Sequence, residues 1–340
     1  MTLAPTVSHA PAHPGSLLKE SDLTAEDFFR LVRLAVDLKA AKAAGRERPR
    51  LRGRNIALLF QKASTRTRCA FEVAAYDQGA HVTYLGPEGS HFGREESVAD
   101  TAAVLGQFFD GIEFRGYAQD TVEELARNAG VPVWNGLTDQ WHPTQMLADI
   151  LTMREVHGPD TSTLRYCFTG DGRGNIARSL LVTGALLGAD VRIAAPTQLQ
   201  PPGDVVATAE RLAANSGASI EVTADLRRAV ADCEFVYTDV WVSMGEPDAE
   251  WDRRVPLLTA YQVTPEVMAA TGRPDSRFMH CLPAIHSTDT TVGRRLHDRY
   301  QLLSAEVTHE VFTSRASLVF AQAQNRMHTI KAVMVAALGD

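Results

Sequence analysis

Between residues 64 and 68 the chain reads Ser64-Thr65-Arg66-Thr67-Arg68, three hydroxyls interleaved with two guanidinium groups. The run follows an apolar segment, 55–60, and opens an amphipathic one. Hydroxyls, free backbone N–H groups and guanidinium forks therefore meet at a helix N-terminus, which is a site for a small anion. A capping Ser or Thr beside solvated arginines is the alternative. Five such residues after a buried strand favour the anion.

Other segments carry chemistry at the ends of apolar runs. Gly170-Asp171-Gly172-Arg173-Gly174-Asn175 invites a dinucleotide-binding reading. The third glycine of that fingerprint would fall at Asn175, however, and the next strand ends at Ala194-Ala195-Pro196 without a carboxylate for a ribose. A tight turn presenting Asn175 is the better account. His142-Pro143-Thr144-Gln145 opens a helix, with Pro143 suited to its first turn and His142 either functional or a surface cap. Asp239-Val240-Trp241-Val242-Ser243-Met244-Gly245 brings an acid, a hydroxyl and a glycine to a strand end, as a site or as a capped loop. Cys281, within His280-Cys281-Leu282-Pro283, is by default a small buried hydrophobe, and Arg326 alone would be a solvated cation.

Alternating strands and helices would position these loops. Strands are expected at 55–60, 81–85, 111–114 and 131–134, with helices from 65 to near 79, over 97–108 and over 121–130. A helical pattern from 145 to 156, stopped by Gly158-Pro159, bridges to a second series. That series has strands at 165–169, 190–194, 219–223 and 235–238, with helices over 175–188, 202–215 and 226–232, and a helical stretch at 317–338 closes the chain. The expected fold is α/β, two doubly wound parallel-sheet domains joined by helices. The first would span 17–147, with 317–340 packing back on it, and the second 148–316.

With 340 residues, 45% hydrophobic and 22% charged, the chain has the balance of a soluble two-domain protein. Its apolar runs fall short of the ~20 residues a bilayer requires. The net charge of -7 and scattered Lys and Arg argue against a nucleic-acid face. Cys69, Cys167, Cys233 and Cys281 lie far apart without a CxxC pair, as expected in a reducing cytoplasm. Residues 1–16, rich in Pro, Ala and His, lack the basic start and apolar core of a secretory signal and read as a disordered tail.

Taken together, Ser64-Thr65-Arg66-Thr67-Arg68, His142-Pro143-Thr144-Gln145, Asp239 to Gly245, His280-Cys281-Leu282-Pro283 and Asn325-Arg326-Met327-His328 resemble the ornithine carbamoyltransferases, in order and in register. The first, second and last are shared in form with the wider aspartate/ornithine carbamoyltransferase family. The segments from Asp239 and His280 look like the ornithine branch.

The resemblance implies transfer of a carbamoyl group from carbamoyl phosphate to the δ-amine of L-ornithine, giving L-citrulline and phosphate, in arginine biosynthesis or breakdown. By it, Ser64, Thr65, Arg66 and Thr67 hold the phosphate, Arg115, His142 and Gln145 surround the carbamoyl end, and Arg326 closes the pocket. Thr67, Arg115 and His142 would stabilise the oxyanion, each well-placed donor contributing ~3 to 4 kcal/mol. Asn175, Asp239, Ser243 and Met244 would hold ornithine, with Cys281 and Leu282 near the reacting amine. No metal or other cofactor is implied, since arginines supply the positive charge. A homotrimer with shared sites is implied, His91 being the candidate for a phosphate contact across the interface. Some bacterial relatives carry Gln where His91 stands and Lys where Glu95 stands, and relatives often have Asn where Gly174 stands. The rivals are a carbamoyltransferase for putrescine, lysine or an N-acylated ornithine, a nicotinamide-dependent oxidoreductase, and a phosphate-binding protein without turnover.

Overall fold

The computed structural model describes residues 13–88, 92, 96–243 and 245–339. Helix α1 (Ala25–Ala43) precedes a sheet of β1 (Asn55–Phe60), β2 (His81–Leu85), β3 (Gly111–Arg115) and β4 (Val133–Leu137), whose connections are α2 (Thr65–Asp77), α3 (Val98–Phe108) and α4 (Gln119–Asn128). Helix α5 (Pro143–His157) leads to the second sheet, which contains β5 (Arg165–Thr169), β6 (Asp190–Ala194), β7 (Ser219–Thr223), β8 (Phe235–Thr238) and β9 (Arg277–His280). Around it lie α6 (Asn175–Leu187), α7 (Gly203–Ser216), α8 (Leu226–Val230), α9 (Glu250–Leu258), α10 (Pro265–Ala269), α11 (Thr291–Tyr300) and α12 (His309–Thr313). Helix α13 (Val319–Leu338) ends the described chain. The expected architecture of two parallel α/β sheets joined by helices is the one observed.

β1 explains why the sheets are parallel and covered. Every residue from Ile56 to Phe60 is buried, which requires apolar layers on both faces. The strand orders are β2-β1-β3-β4 and β7-β6-β5-β8-β9. Connections therefore diverge between β1 and β3 in one sheet and between β5 and β8 in the other. Such switch points open crevices at the carboxyl ends of strands. The loops that flank them carry the chemistry-bearing segments at 64–68, 170–175 and 239–245.

β9 and α9 to α12 have no counterpart in the sequence expectation, and two further elements differ from it. β4 begins at Val133 and not at 131, because Pro132 has no N–H to give the ladder and contributes only its carbonyl, to Ile112 N at 2.9 Å. The strand then continues through Asn135 and Gly136, whose polarity and small size hide it. α1 lies outside the alternation from which the other elements were read. Thr24 caps it by accepting from Asp27 N at 3.1 Å, and Phe28, Leu31, Val32, Ala35 and Leu38 form its buried stripe.

Of the expected tail, residues 1–12 lie outside the described residues. Residues 15–17 run beside β4: Trp134 Nε1 donates to Gly15 O at 3.1 Å, Val133 N donates to Ser16 Oγ at 3.0 Å, and Leu17 bridges to Trp134. The sheet edge at β4 is thereby covered. α13 packs on α1, α2 and α5, and its fully buried Lys331 pairs with Glu47 at 2.5 Å and Asp77 at 2.7 Å.

The turn after residue 17 sets Glu20 against α6, fully buried, with neither carboxylate oxygen hydrogen-bonded among the described residues. Burial pushes its pKa up to about 7, against the pull of nearby Ser179 and the His142 backbone. Since the folded value exceeds the unfolded one, the native state holds the proton more tightly, and stability falls as pH rises through that interval. Glu20→Gln should remove this loss, so its melting temperature should gain on the wild type from pH 5 to pH 8. A constant offset between the two across that range would refute the account.

Candidate active site

Ser64 ends the loop after β1 and caps α2, its Oγ accepting from Thr67 N at 3.2 Å. Thr65 opens the helix and is exposed, while Thr67 is fully buried. Two arginines from distant elements converge on the Thr67 hydroxyl: Arg115 Nη1, from the end of β3, donates at 3.3 Å, and Arg326 Nη2, from α13, donates at 2.8 Å. Arg326 Nη2 also reaches Gly136 O at 3.3 Å. Arg68, the other cation of the run, is engaged elsewhere, with Glu72 at 2.8 Å and over the Tyr84 ring.

The electrostatics of this cluster are one-sided. Nε of Arg66, Arg115 and Arg326 is buried without a partner among the described residues, as is His142 Nδ1. Burial, then Arg115, with a smaller push from Arg66, brings Arg326 down to about 10. Burial and the same three arginines hold His142 well below the usual imidazole range, so at neutral pH it is an uncharged ring. Glu113 is the acid packed among them. Its carboxyl is fully buried, without a hydrogen-bond partner among the described residues, and burial raises it well above the usual range, favouring the neutral form, though Arg115 and Arg326 pull it down. Gly136 is required beside it, since a Cβ there would lie 1.9 Å from Glu113 Oε1.

Across the crevice, Asp239 follows β8 and accepts at Oδ1 from Val240 N at 2.9 Å and from Cys281 Sγ at 3.2 Å. Burial and the Asp239 carboxylate push the Cys281 thiol well up, so it is protonated at neutral pH. Burial also raises Asp239, with His280 opposing. His280 Nδ1 accepts from Leu282 N at 2.8 Å, and its Nε2 lies 3.4 Å from Glu306 Oε1, both side chains being fully buried. Glu306 Oε1 in turn accepts from Ile285 N at 2.6 Å. Ligand atoms of Asp239, His280 and Cys281 lie within 4.8 Å of one another, the spacing of a metal site. His280 Nδ1 is taken up by Leu282 N, and the thiol holds its proton, so this arrangement is not poised for a cation.

A cavity of about 300 Å³ joins the two halves, with Arg66, Gln145, Cys281 and Arg326 in its wall. Thr67, Arg115 and His142 stand behind these side chains, and Asp239 is tied to Cys281. Two expected ornithine contacts stand off the wall. Asn175 opens α6 and donates to Thr138 O at 2.6 Å, and Ser243 is exposed, its N–H donating to Glu246 at 2.6 Å. Leu282, with φ of 62°, is half-buried beside Cys281. His91 and Met244 lie outside the described residues, as does Glu95.

The sequence reading did not single out Lys62, Glu113, Asp149, Arg254 or Glu306. Arg254 of α9 is buried and bonds Asp171, Trp241 O at 2.9 Å and Glu246 at 3.0 Å, so one guanidinium ties the loop after β5 to the loop after β8. Lys62 is buried against Asp139, under the Tyr117 ring. The available signal was a charged residue inside an apolar strand or helix face. The partners lie too far along the chain for spacing to reveal them.

Residues 16–155 match the family model described as the carbamoyl-P binding domain of aspartate/ornithine carbamoyltransferase, and residues 162–337 match its Asp/Orn binding domain. The chain belongs to the aspartate/ornithine carbamoyltransferase family. Among solved carbamoyltransferases, the ornithine carbamoyltransferase from Pyrococcus furiosus is 39% identical over 98% of this chain and 99% of its own, with a TM-score of 0.87. That from Thermus thermophilus is 35% identical over 96% and 99%, with a TM-score of 0.78. The anabolic enzyme from Campylobacter jejuni is 31% identical over 95% and 98%, with a TM-score of 0.84. The resemblance read from the motifs is therefore borne out. No helix among the described residues is long and apolar enough to cross a membrane.

The thiols of this carbamoyltransferase should differ in reactivity. Cys69 is exposed, whereas Cys281 is held protonated by its surroundings and Cys167 is fully buried. At pH 8, iodoacetamide should alkylate Cys69 first, with Cys281 and Cys167 labelled only after unfolding. Peptide mass spectrometry reads the order, and Cys281 labelled as fast as Cys69 would contradict it.

Proposed function

We propose that the protein transfers the carbamoyl group of carbamoyl phosphate to the δ-amine of L-ornithine, forming L-citrulline and releasing phosphate. One observation carries the reading. The buried Nε atoms of Arg66, Arg115 and Arg326 are donors without a partner among the described residues, gathered by the N-terminus of α2, and two of these arginines line a cavity whose wall also holds Cys281, itself bonded to Asp239. Only an anion relieves such a cluster. The ornithine carbamoyltransferases to which the chain is similar supply the acceptor amine.

In this reading, Ser64, Thr65, Arg66 and Thr67 hold the phosphate. Arg115, Thr67 and the uncharged His142 donate to the carbonyl oxygen as attack makes it an oxyanion. The δ-amine, with a solution pKa of ~10.4, must lose a proton before its lone pair reaches the carbonyl carbon. Asp239 attracts the cationic substrate and orients the neutral amine, with Asn175, Ser243 and Met244 on the rest of ornithine. The new C–N bond forms, the C–O bond to phosphate breaks, and phosphate departs into the arginine cluster, taking up the proton that the attacking nitrogen sheds. The same reading carries a homotrimer in which His91 reaches a neighbour's site, and a cytoplasmic location supported by four unpaired cysteines.

The test is formation of the ureido product, with phosphate release, from carbamoyl phosphate and a panel of ornithine, putrescine, lysine and N-acetylornithine, the product from ornithine being citrulline. Ornithine should be the preferred acceptor, and preference for another amine would overturn the assignment. Arg66→Ala should raise the KM for carbamoyl phosphate ~100-fold or more, since it takes a fork from a desolvated phosphate. Asp239→Asn keeps the size and removes the charge, so ornithine affinity and turnover should fall together while carbamoyl phosphate still binds. A stable Asp239→Asn enzyme with unchanged kcat/KM for ornithine would remove that residue from the site.

A further inference from the structure

Gln145 lines the cavity, and its Oε1 is buried without a partner among the described residues. The reason lies four residues along α5. Asp149 is fully buried, and its Oδ1 accepts from Gln145 Nε2 at 2.7 Å and from Gln322 Nε2 of α13 at 2.7 Å. Its Oδ2 accepts from the Tyr237 hydroxyl of β8 at 3.0 Å. Gln322 then turns its own oxygen to accept from His280 N at 3.1 Å.

This pattern decides which end of the Gln145 amide faces the substrate. An amide oxygen placed 2.7 Å from a carboxylate oxygen would set two acceptors against each other, so the N–H end must face Asp149. Burial raises Asp149 to about 7, the Gln145, Gln322 and Tyr237 bonds opposing. With a proton on Oδ2, the oxygen between the two amides still only accepts. The guanidinium Nε atoms of Arg66 and Arg326 in the same wall are donors, matched to phosphate and carbonyl oxygens, and cannot receive a substrate N–H. Gln145 Oε1 can.

We propose that Asp149 is a positioning residue: it takes up the N–H end of the Gln145 amide and so fixes Oε1 as the acceptor for the N–H of the carbamoyl group. The inference rests on the carbamoyl-transfer reading and deepens it. Through Gln322 the same carboxylate also holds the start of the His280-Cys281 segment, so both sides of the cavity are referred to one buried group.

The experiment is steady-state kinetics, with thermal melts, on Asp149→Asn, Asp149→Leu, Gln145→Ala and the variant combining the last two. Asp149→Asn can keep an oxygen toward both amides and turn its NH2 to the Tyr237 hydroxyl, so kcat should stay within about five-fold of wild type. Asp149→Leu frees the Gln145 amide, and kcat should fall about 30-fold or more while the KM for ornithine moves less than about three-fold. In the Gln145→Ala background the same Asp149→Leu change should cost no more than about two-fold, because the amide it orients is gone. A full second loss there shows a merely structural Asp149 and overturns the proposal. Should Asp149→Leu fail to fold, Gln145→Glu replaces it. That change sets carboxylate against carboxylate, so relative to wild type kcat should fall about ten-fold or more at pH 8 and recover as pH falls and one proton comes to be shared between the two carboxyls, leaving an acceptor toward the cavity. A loss that does not change with pH overturns the proposal. A wild-type enzyme that forms no citrulline overturns the functional reading and this inference with it, whereas an active wild type with independent, multiplying losses overturns this inference alone.

Discussion

The structure is organised around like charge held together out of water. Arg66, Arg115 and Arg326 come from α2, β3 and α13, and the depression of Arg326 to about 10 records what their company and burial cost. Like charges assemble only if the scaffold leaves them no other place. The scaffold does so by distributing them over elements that cannot separate. β3 is a central strand of its sheet, α2 is fixed by its Ser64 cap, and α13 is anchored by the buried Lys331 between Glu47 and Asp77. Glu113 lies beside them as a buried acid that Arg115 and Arg326 pull toward ionisation against the cost of its burial, and Gly136 makes room for it.

From that constraint the electrostatic state of the neighbours follows. His142, facing three cations in a dry site, is neutral, and a neutral ring at the carbonyl end donates a hydrogen bond without adding repulsion. Cys281 is half-buried beside a carboxylate, and it keeps its proton and donates it in a hydrogen bond to Asp239. Cationic side chains thus gather where phosphate is expected, and the Asp239 carboxylate stands beyond Cys281 where an amine is expected. Arg254 and the Asp149 cluster do not touch the cavity through their charges. They set the geometry of the loops and amides that do, and their burial makes that geometry rigid.

Much of this was legible in the sequence where the information is local. β1, α2 and the loop between them could be read because a parallel strand is an unbroken apolar run and a helix start is marked by a hydroxyl three residues before the N–H it caps. The βα elements of the second sheet followed from the same rule. β4 was displaced by Pro132 and by Asn135 and Gly136, which look like loop and are strand. The segments that meet at the cavity were each visible, since they sit at strand ends. Glu113, Asp149, Gln322 and Arg254 were not. Asp149 and Gln322 stand 173 positions apart, and the Arg254 bond to Asp171 spans 83. Pairings of that range exist only after folding, and a charged residue on a helix otherwise reads as solvated.

The same groups show why a fold would tolerate such a site. A buried donor or acceptor without a partner costs about 1–3 kcal/mol, and the bare Nε atoms of three arginines, His142 Nδ1 and Gln145 Oε1 all lie in one small region. This strain is offset by the surrounding packing: α5 is buried continuously from Pro143 to Met153, and α13 from His328 to Val335. The two helices that carry Gln145 and Arg326 are therefore deeply embedded. They can hold unspent polar atoms in place because their own stability does not depend on those atoms. A ligand that satisfies the exposed donors adds its binding energy to folding, so the site is least stable when empty and the scaffold must be stable without it.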